Sequence, residues 1–200
     1  MVSLKRATPL FIGLILTVQA PCCQAESSKR WESNEPPPAP RGFSWRQFKQ
    51  INARLLIPEG WFVKEEERSG TKVVFITKES IEKEGRLLTG FSVNVIQHLS
   101  EKGGGSPSQY AASAIANMDS VCDKVWGFQE PGKGTPFNGY AVFCKLTTPF
   151  GPIVQYNLFF GNDGADMLYV ISFESPEASW DEAFKIGEPI VNNLLLDASF

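Results

Sequence analysis

The chain is poor in the residues that most chemistry needs. It has one histidine, His98, so any Ser-His-Asp or Cys-His arrangement would have to run through that single side chain. His98 lies near the end of an extended segment beside a Gly-rich stretch, and it reads as a polar strand-end residue. Metal sites gather several His, Cys, Asp or Glu at tight spacing. Asn162, Asp163 and Asp166 come nearest, as a fragment of a calcium loop without its run of alternating acids or its terminal Glu, and they read as a hairpin turn. Glu65, Glu66 and Glu67 read as a solvated charge run. Basic excess is missing too: 19 Lys and Arg stand against 22 Asp and Glu, for a net charge of −3. There is accordingly no field to draw in nucleic acid or an anionic membrane surface, and no basic stripe. The Gly-rich stretch Glu101 to Gly105 lacks the Lys and Ser/Thr of a phosphate-binding loop. No internal repeat and no second core appear, and no catalytic constellation, cofactor motif or metal motif is found.

No apolar run is long enough to span a bilayer. Lys5 and Arg6 precede Ala7 to Val18, broken only by Thr8, Pro9 and Thr17, which is the layout of an export signal. Cleavage after Ala25 fits the small residues at Cys23 and Ala25, and it would leave a mature chain of net charge −5 with no membrane span. The alternatives are lipid attachment at Cys22 or Cys23, as in bacterial lipoproteins, and an uncleaved tether. Residues 26–42 then form a proline-rich linker (Pro36, Pro37, Pro38 and Pro40) expected to bury nothing and to act as an extended spacer. Residues 43–200 remain as a single domain, large enough to build a core without staples.

What the chain has in quantity is apolar strand. Gly139 to Glu174 predicts three antiparallel strands, Tyr140 to Thr147, Ile153 to Phe160 and Met167 to Phe173. Pro149-Phe150-Gly151-Pro152 and Gly161-Asn162-Asp163-Gly164 serve as turns between them. Both faces are apolar. Tyr140, Val142, Cys144 and Leu146 oppose Ala141 and Phe143; Tyr156, Leu158 and Phe160 oppose Ile153 and Phe159; Leu168 and Val170 oppose Met167, Tyr169, Ile171 and Phe173. A sheet with one wet face would alternate apolar and polar. Both sides therefore need a cover, which predicts an α+β domain with a central antiparallel sheet covered by helices on both faces, an α/β/α sandwich.

The remaining elements supply strands and covers. Ala53 to Ile57, Trp61 to Val63, Lys72 to Thr77, Leu87 to Leu99 and Lys124 to Gln129 read as extended. Ser106 as N-cap, Pro107 at the first helical position and Gln109 closing a capping box open a helix to about Ser120. Its packed face is Ala111, Ala114, Ile115, Met118 and Cys122. Ser179-Trp180-Asp181-Glu182 reads as a second capping box, and Pro189 should kink the last helix or restart it after Gly187.

These residues resemble the PsbP-like superfamily, which includes the extrinsic photosystem II subunit and exported bacterial proteins of the DcrB type. The resemblance rests on an early strand ending in Ile-Pro-Glu-Gly-Trp (Ile57 to Trp61), a hairpin, a long strand and a capped Ala-rich helix. A Gly-Tyr-led meander follows, then Tyr-x-Ile-x-Phe (Tyr169 to Phe173), a Ser-Pro turn (Ser175, Pro176) and a C-terminal helix. It covers Phe48 to Phe200. It implies an antiparallel sheet between helices and a non-catalytic binding or assembly role. The leader lacks the Ser- and Arg-rich composition of a plant transit peptide, which favours an exported bacterial protein.

Two further features bear on function. If Cys22 and Cys23 leave with the leader or carry lipid, Cys122 and Cys144 remain in an oxidising compartment, where such a pair tends to bridge. They pair if the capped helix lies on the Cys144 side of the sheet; otherwise they are two separate buried thiols. Trp126, Phe128 and Phe137 flank the Pro- and Gly-rich loop at Pro131 to Pro136, and are read either as a partner surface or as packing beneath that loop. The expected function is that of an exported, non-enzymatic domain, in the periplasm or outside the cell, that binds a protein or supports an envelope assembly. The alternative is a small-ligand binder or hydrolase with a pocket between sheet and helix and His98 near its mouth.

Overall fold

The computed structural model describes residues 36–103, 105–130 and 136–196. The expected export signal, the lipidation candidates Cys22 and Cys23, and residues 131–135 of the long loop lie outside them. The strands are β1 (Phe43–Phe48), β2 (Ala53–Pro58), β3 (Phe62–Arg68), β4 (Thr71–Thr77), β5 (Gly90–Gln97), β6 (Lys124–Gln129), β7 (Asn138–Thr148), β8 (Gly151–Asn162), β9 (Met167–Pro176) and the short β10 (Leu195–Leu196). The helices are α1, a single turn at Ile81–Glu84, α2 (Pro107–Ala116) and α3 (Trp180–Asn192).

Seven strands make the main sheet in the order β3-β4-β5-β9-β8-β7-β6, each neighbouring pair antiparallel. The three-stranded meander β7-β8-β9 is present as expected, and alternation sends its side chains into two separate cores. On what we term the front face, Ala141, Leu158, Met167, Tyr169, Ile171 and Phe173 join Phe91, Val93 and Val95 of β5. On the back face, Val142, Cys144, Phe159 and Leu168 pack with Ala111 and Met118.

Helices lie on both faces. On the front, α3 packs against β9 and β2. It shares that face with a second sheet, β1-β2-β10, which the sequence did not announce. Leu55, Leu56 and Ile57 of β2 and Phe48 of β1 enter the front core. Residues 36–42, the described part of the expected spacer, do not all stand free of the domain. Ala39 packs on the front core, and Trp45 Nε1 donates to the Pro37 carbonyl at 2.6 Å. Trp45 is half-buried.

The back-face helix α2 starts as the sequence predicts. Gln109 N donates to Ser106 Oγ, and Ser106 N donates to Gln109 Oε1. The first turn sits directly on β8. A Cβ at Gly161 would lie 2.5 Å from the Pro107 carbonyl carbon and from Ser108 N, so only glycine lets the helix come this close. α2 ends at Ala116, and a 3-10 turn over Met118–Ser120 completes the run.

Two expectations need correction. The capping box at Ser179 does not form: a 3-10 turn over Glu177–Ser179 precedes α3, and Ser179 Oγ donates backward to the Pro176 carbonyl. α3 runs on through Pro189 to Asn192 instead of restarting after Gly187. Gly187 has a packing reason, because a Cβ there would lie 2.8 Å from the Phe173 ring.

Replacing Gly161 by Ala should destabilise the domain by about 1–3 kcal/mol through overpacking between β8 and α2. Urea denaturation checks this; an unchanged midpoint would mean that α2 does not seat on Gly161.

Candidate functional site

β6 ends the sheet, and its outer edge has no partner strand among the described residues. Its inner edge pairs with β7 through Lys124–Lys145, Val125–Cys144 and Trp126–Phe143, and then the register shifts so that Gln129 faces Ala141. Gly127 makes the shift with φ of +66°, a conformation that favours glycine, and a Cβ there would lie 2.8 Å from the Phe143 ring. Without the bulge, Trp126 and Phe128 would project from one face. With it, Trp126 stacks on Phe143 of the front face, ring centres 5.6 Å apart, and Phe128 stacks on Tyr140 of the back face at 6.0 Å.

Both rings keep an outward surface, with Trp126 36% and Phe128 51% exposed. Trp126 is the outer end of an aromatic pile. Phe143 contacts Tyr156 and Phe184, and Phe184 stacks on Trp180 at 4.9 Å. Burial raises the Tyr156 phenol above its usual pKa. The Lys124 ammonium lies 5.3 Å from the Trp126 ring centre. Phe137 does not join this edge: it packs edge-on against Phe160 and Tyr169 as part of the front core.

Cys122 and Cys144 form a disulfide. Of the two readings of these thiols, the bridged one holds, because α2 does lie on the Cys144 face. The bond fastens the approach to β6 onto β7. Asp123 reinforces it, its N–H donating to the Lys145 carbonyl and its carboxylate accepting from Thr147 Oγ1.

His98 sits one residue beyond β5 with φ of +53° and an exposed side chain, so the long strand expected to Leu99 stops at Gln97. Its nearest acid is Glu101, at 4.0 Å. The neighbouring Ser100 hydroxyl instead donates to Asp166 Oδ2 at 2.6 Å, and Ser100 N donates to the same carboxylate. These bonds, the hydroxyl's first, hold the Asp166 carboxyl below its usual pKa. Asp163 grips α2 in the same way, accepting from Ser108 N and Ser108 Oγ. The hairpin aspartates are thus clamps on the segment that carries α2. Among the described residues no group of three or more His, Cys, Asp or Glu is placed to hold a metal ion. Glu65 pairs with Arg46, and Glu66 with Lys64 and Arg68.

One cluster escaped the sequence reading. Gln155 faces Glu174 across β8 and β9, and Asn157 faces Ser172 one step along. All four project to the back face, beyond the strip that α2 covers, so that face is not apolar throughout. The signal was there: Gln155 and Asn157 in β8, and Ser172 and Glu174 in β9, are each spaced by two. Ser172 Oγ donates to Asn157 Oδ1, and Gln155 Nε2 donates to Glu174 Oε2 at 2.6 Å. Burial raises the Glu174 carboxyl above its usual pKa, partly offset by the Gln155 bond.

The solution structure of cyanobacterial PsbP from Synechocystis sp. PCC 6803 superposes with a TM-score of 0.51 at 12% identity, covering 82% of this chain and 98% of that one. The fold is PsbP-like. The Ran-binding protein Mog1p of Saccharomyces cerevisiae matches with a TM-score of 0.47 at 10% identity, over 78% of this chain and 97% of its own. LpqN, involved in cell envelope biogenesis of Mycobacterium tuberculosis, matches with 0.35 at 9%, over 78% and 79%. No family model and no curated protein matches the chain. Among the described residues no helix is long and apolar enough to cross a membrane.

Reducing the disulfide should lower stability by roughly 2–4 kcal/mol; denaturation with and without reductant checks this, and equal midpoints would show that the bond does not restrain the edge. For Asp166, the folded pKa lies below the unfolded one. Its contribution to stability is therefore present above the ordinary carboxylate range and lost as pH falls through the folded value. Ser100→Ala should move the Asp166 titration upward toward its ordinary range, read by carboxyl 13C NMR; an unmoved titration would assign the shift to another cause.

Proposed function

We propose that this PsbP-like domain is an exported, non-catalytic accessory factor of the cell envelope, and that it binds another protein through the β6 edge. The observation that carries the proposal is the contrast between the two ends of the sheet. β3 is guarded by charge, with Lys64, Glu66 and Arg68 paired along it. Such charges discourage pairing with another strand. Val125 to Gln129 on β6 carry no charge at all, and exposed aromatic rings stand on both faces of the strand. Aromatic anchors of this kind dominate binding energy at protein interfaces. Export is supported by the basic and apolar leader and by the disulfide. The non-catalytic role rests on the sequence, in which no catalytic constellation is found.

Crosslinking and affinity capture from envelope extracts should retrieve a partner with the mature wild-type domain. Phe128→Lys and Trp126→Lys should lose that partner by tenfold or more, the size of a hot-spot loss. Phe62→Lys, a change at an exposed ring on the guarded edge, should retain it. Equal retrieval by all three variants would remove the β6 edge as the docking surface.

A further inference from the structure

The polar cluster on the back face ends in a charge without a counter-charge. Its hydrogen bonds all run one way: Ser172 Oγ donates to Asn157, Asn157 Nδ2 to Gln155 Oε1 at 3.5 Å, and Gln155 Nε2 to Glu174 Oε2. Donors aligned head to tail polarise one another, and here the chain terminates on a carboxylate. The side chains that follow in the row do not complete it. On the β5 side Glu174 faces Gly90, which has no side chain. Among the described residues no Lys or Arg forms an ion pair with Glu174.

Charged side chains of the neighbouring strand and of the β4–β5 connection have other contacts. Lys145 of β7 belongs to the front face and pairs with Glu177 at 2.6 Å. In the connection between β4 and β5, Glu79 accepts from Thr89 N, and the Arg86 guanidinium lies over the Phe150 ring, 3.8 Å from its centre. Glu174 Oε1 therefore has no donor among the described residues, and the side chain is half-buried rather than sealed.

We infer that Glu174 is the acceptor of a binding site for a single cationic group, a primary ammonium or a guanidinium, with Gln155, Asn157 and Ser172 holding the carboxylate in place. A carboxylate partly removed from water and matched only by a neutral amide is poorly compensated. A cation donating to its free oxygen supplies the missing counter-charge through a charge-assisted hydrogen bond. A guanidinium suits the site well, because its planar fork meets a carboxylate along two parallel bonds. This site is independent of the β6 edge.

The test is a titration of the full domain with L-arginine amide, with neutral L-citrulline amide as the matched control, followed by carboxyl 13C and side-chain amide NMR. Arginine amide should shift the Glu174 and Gln155 resonances saturably and lower the Glu174 titration midpoint by about one pH unit. Citrulline amide should do neither. The response should vanish in Glu174→Gln and persist in Glu177→Gln. A response that fails to saturate, that citrulline amide reproduces, or that survives Glu174→Gln overturns the assignment. The wild-type comparison of the two amides stands even if the variant does not fold.

Discussion

Strand β9 admits no water on its front face. Met167, Tyr169, Ile171 and Phe173 are each completely buried there, and the layout of the domain follows from that seal. A helix alone covers a stripe about 10 Å wide, too narrow for a front face that runs from β4 to β7. The three-stranded sheet fills the remainder, bringing Leu55, Leu56 and Phe48 against the same core. Tyr169 joins the two layers, because its buried hydroxyl needs an acceptor and finds the Ile51 carbonyl at 2.8 Å, in the turn between β1 and β2. One strand thus dictates both covers and fixes where the first strands of the domain must lie.

The back face obeys a weaker constraint. It is apolar where α2 lies on β7, β8 and β9, and polar beyond, at Ser92, Asn94, Asn157 and Ser172. α2 is held in place by backbone contact at Gly161 and by the Asp163 carboxylate on its first turn. An acid at that end of a helix is favoured by the exposed N–H groups. The helix therefore sits at one end of the face and leaves the rest to side chains that can meet water or a ligand.

Much of this was legible because it is periodic or local. The side-chain alternation of β7, β8 and β9 and the capping box at Ser106 and Gln109 are each decided by residues close in sequence, and each is found as expected. What was missed depends on distant partners. β1 is readable only once β2 is there to pair with it, and β10 is two residues long. The bulge at Gly127 looks like an ordinary glycine until Phe143 is placed 2.8 Å from its absent Cβ. Ser179 had the sequence of a cap, but the Pro176 carbonyl competes for its hydroxyl. The polar row was overlooked because the apolar residues around it set the reading of each strand, although its spacing of two was visible.

The β6 edge and Glu174 are separate by construction. Three strand spacings, about 14 Å, lie between β6 and β9. Cys144, bonded to Cys122, stands between them in the row that continues through Gln155 to Glu174. A strand laid against β6 extends the sheet outward, away from β9, and leaves the carboxylate uncovered. A cation at Glu174 touches the polar side chains of β8 and β9 and none of the rings at the edge. The Cys122–Cys144 disulfide lies in the strip that separates them and fastens the approach to β6 onto β7. The proposed docking edge at β6 and the proposed cation site at Glu174 therefore do not overlap.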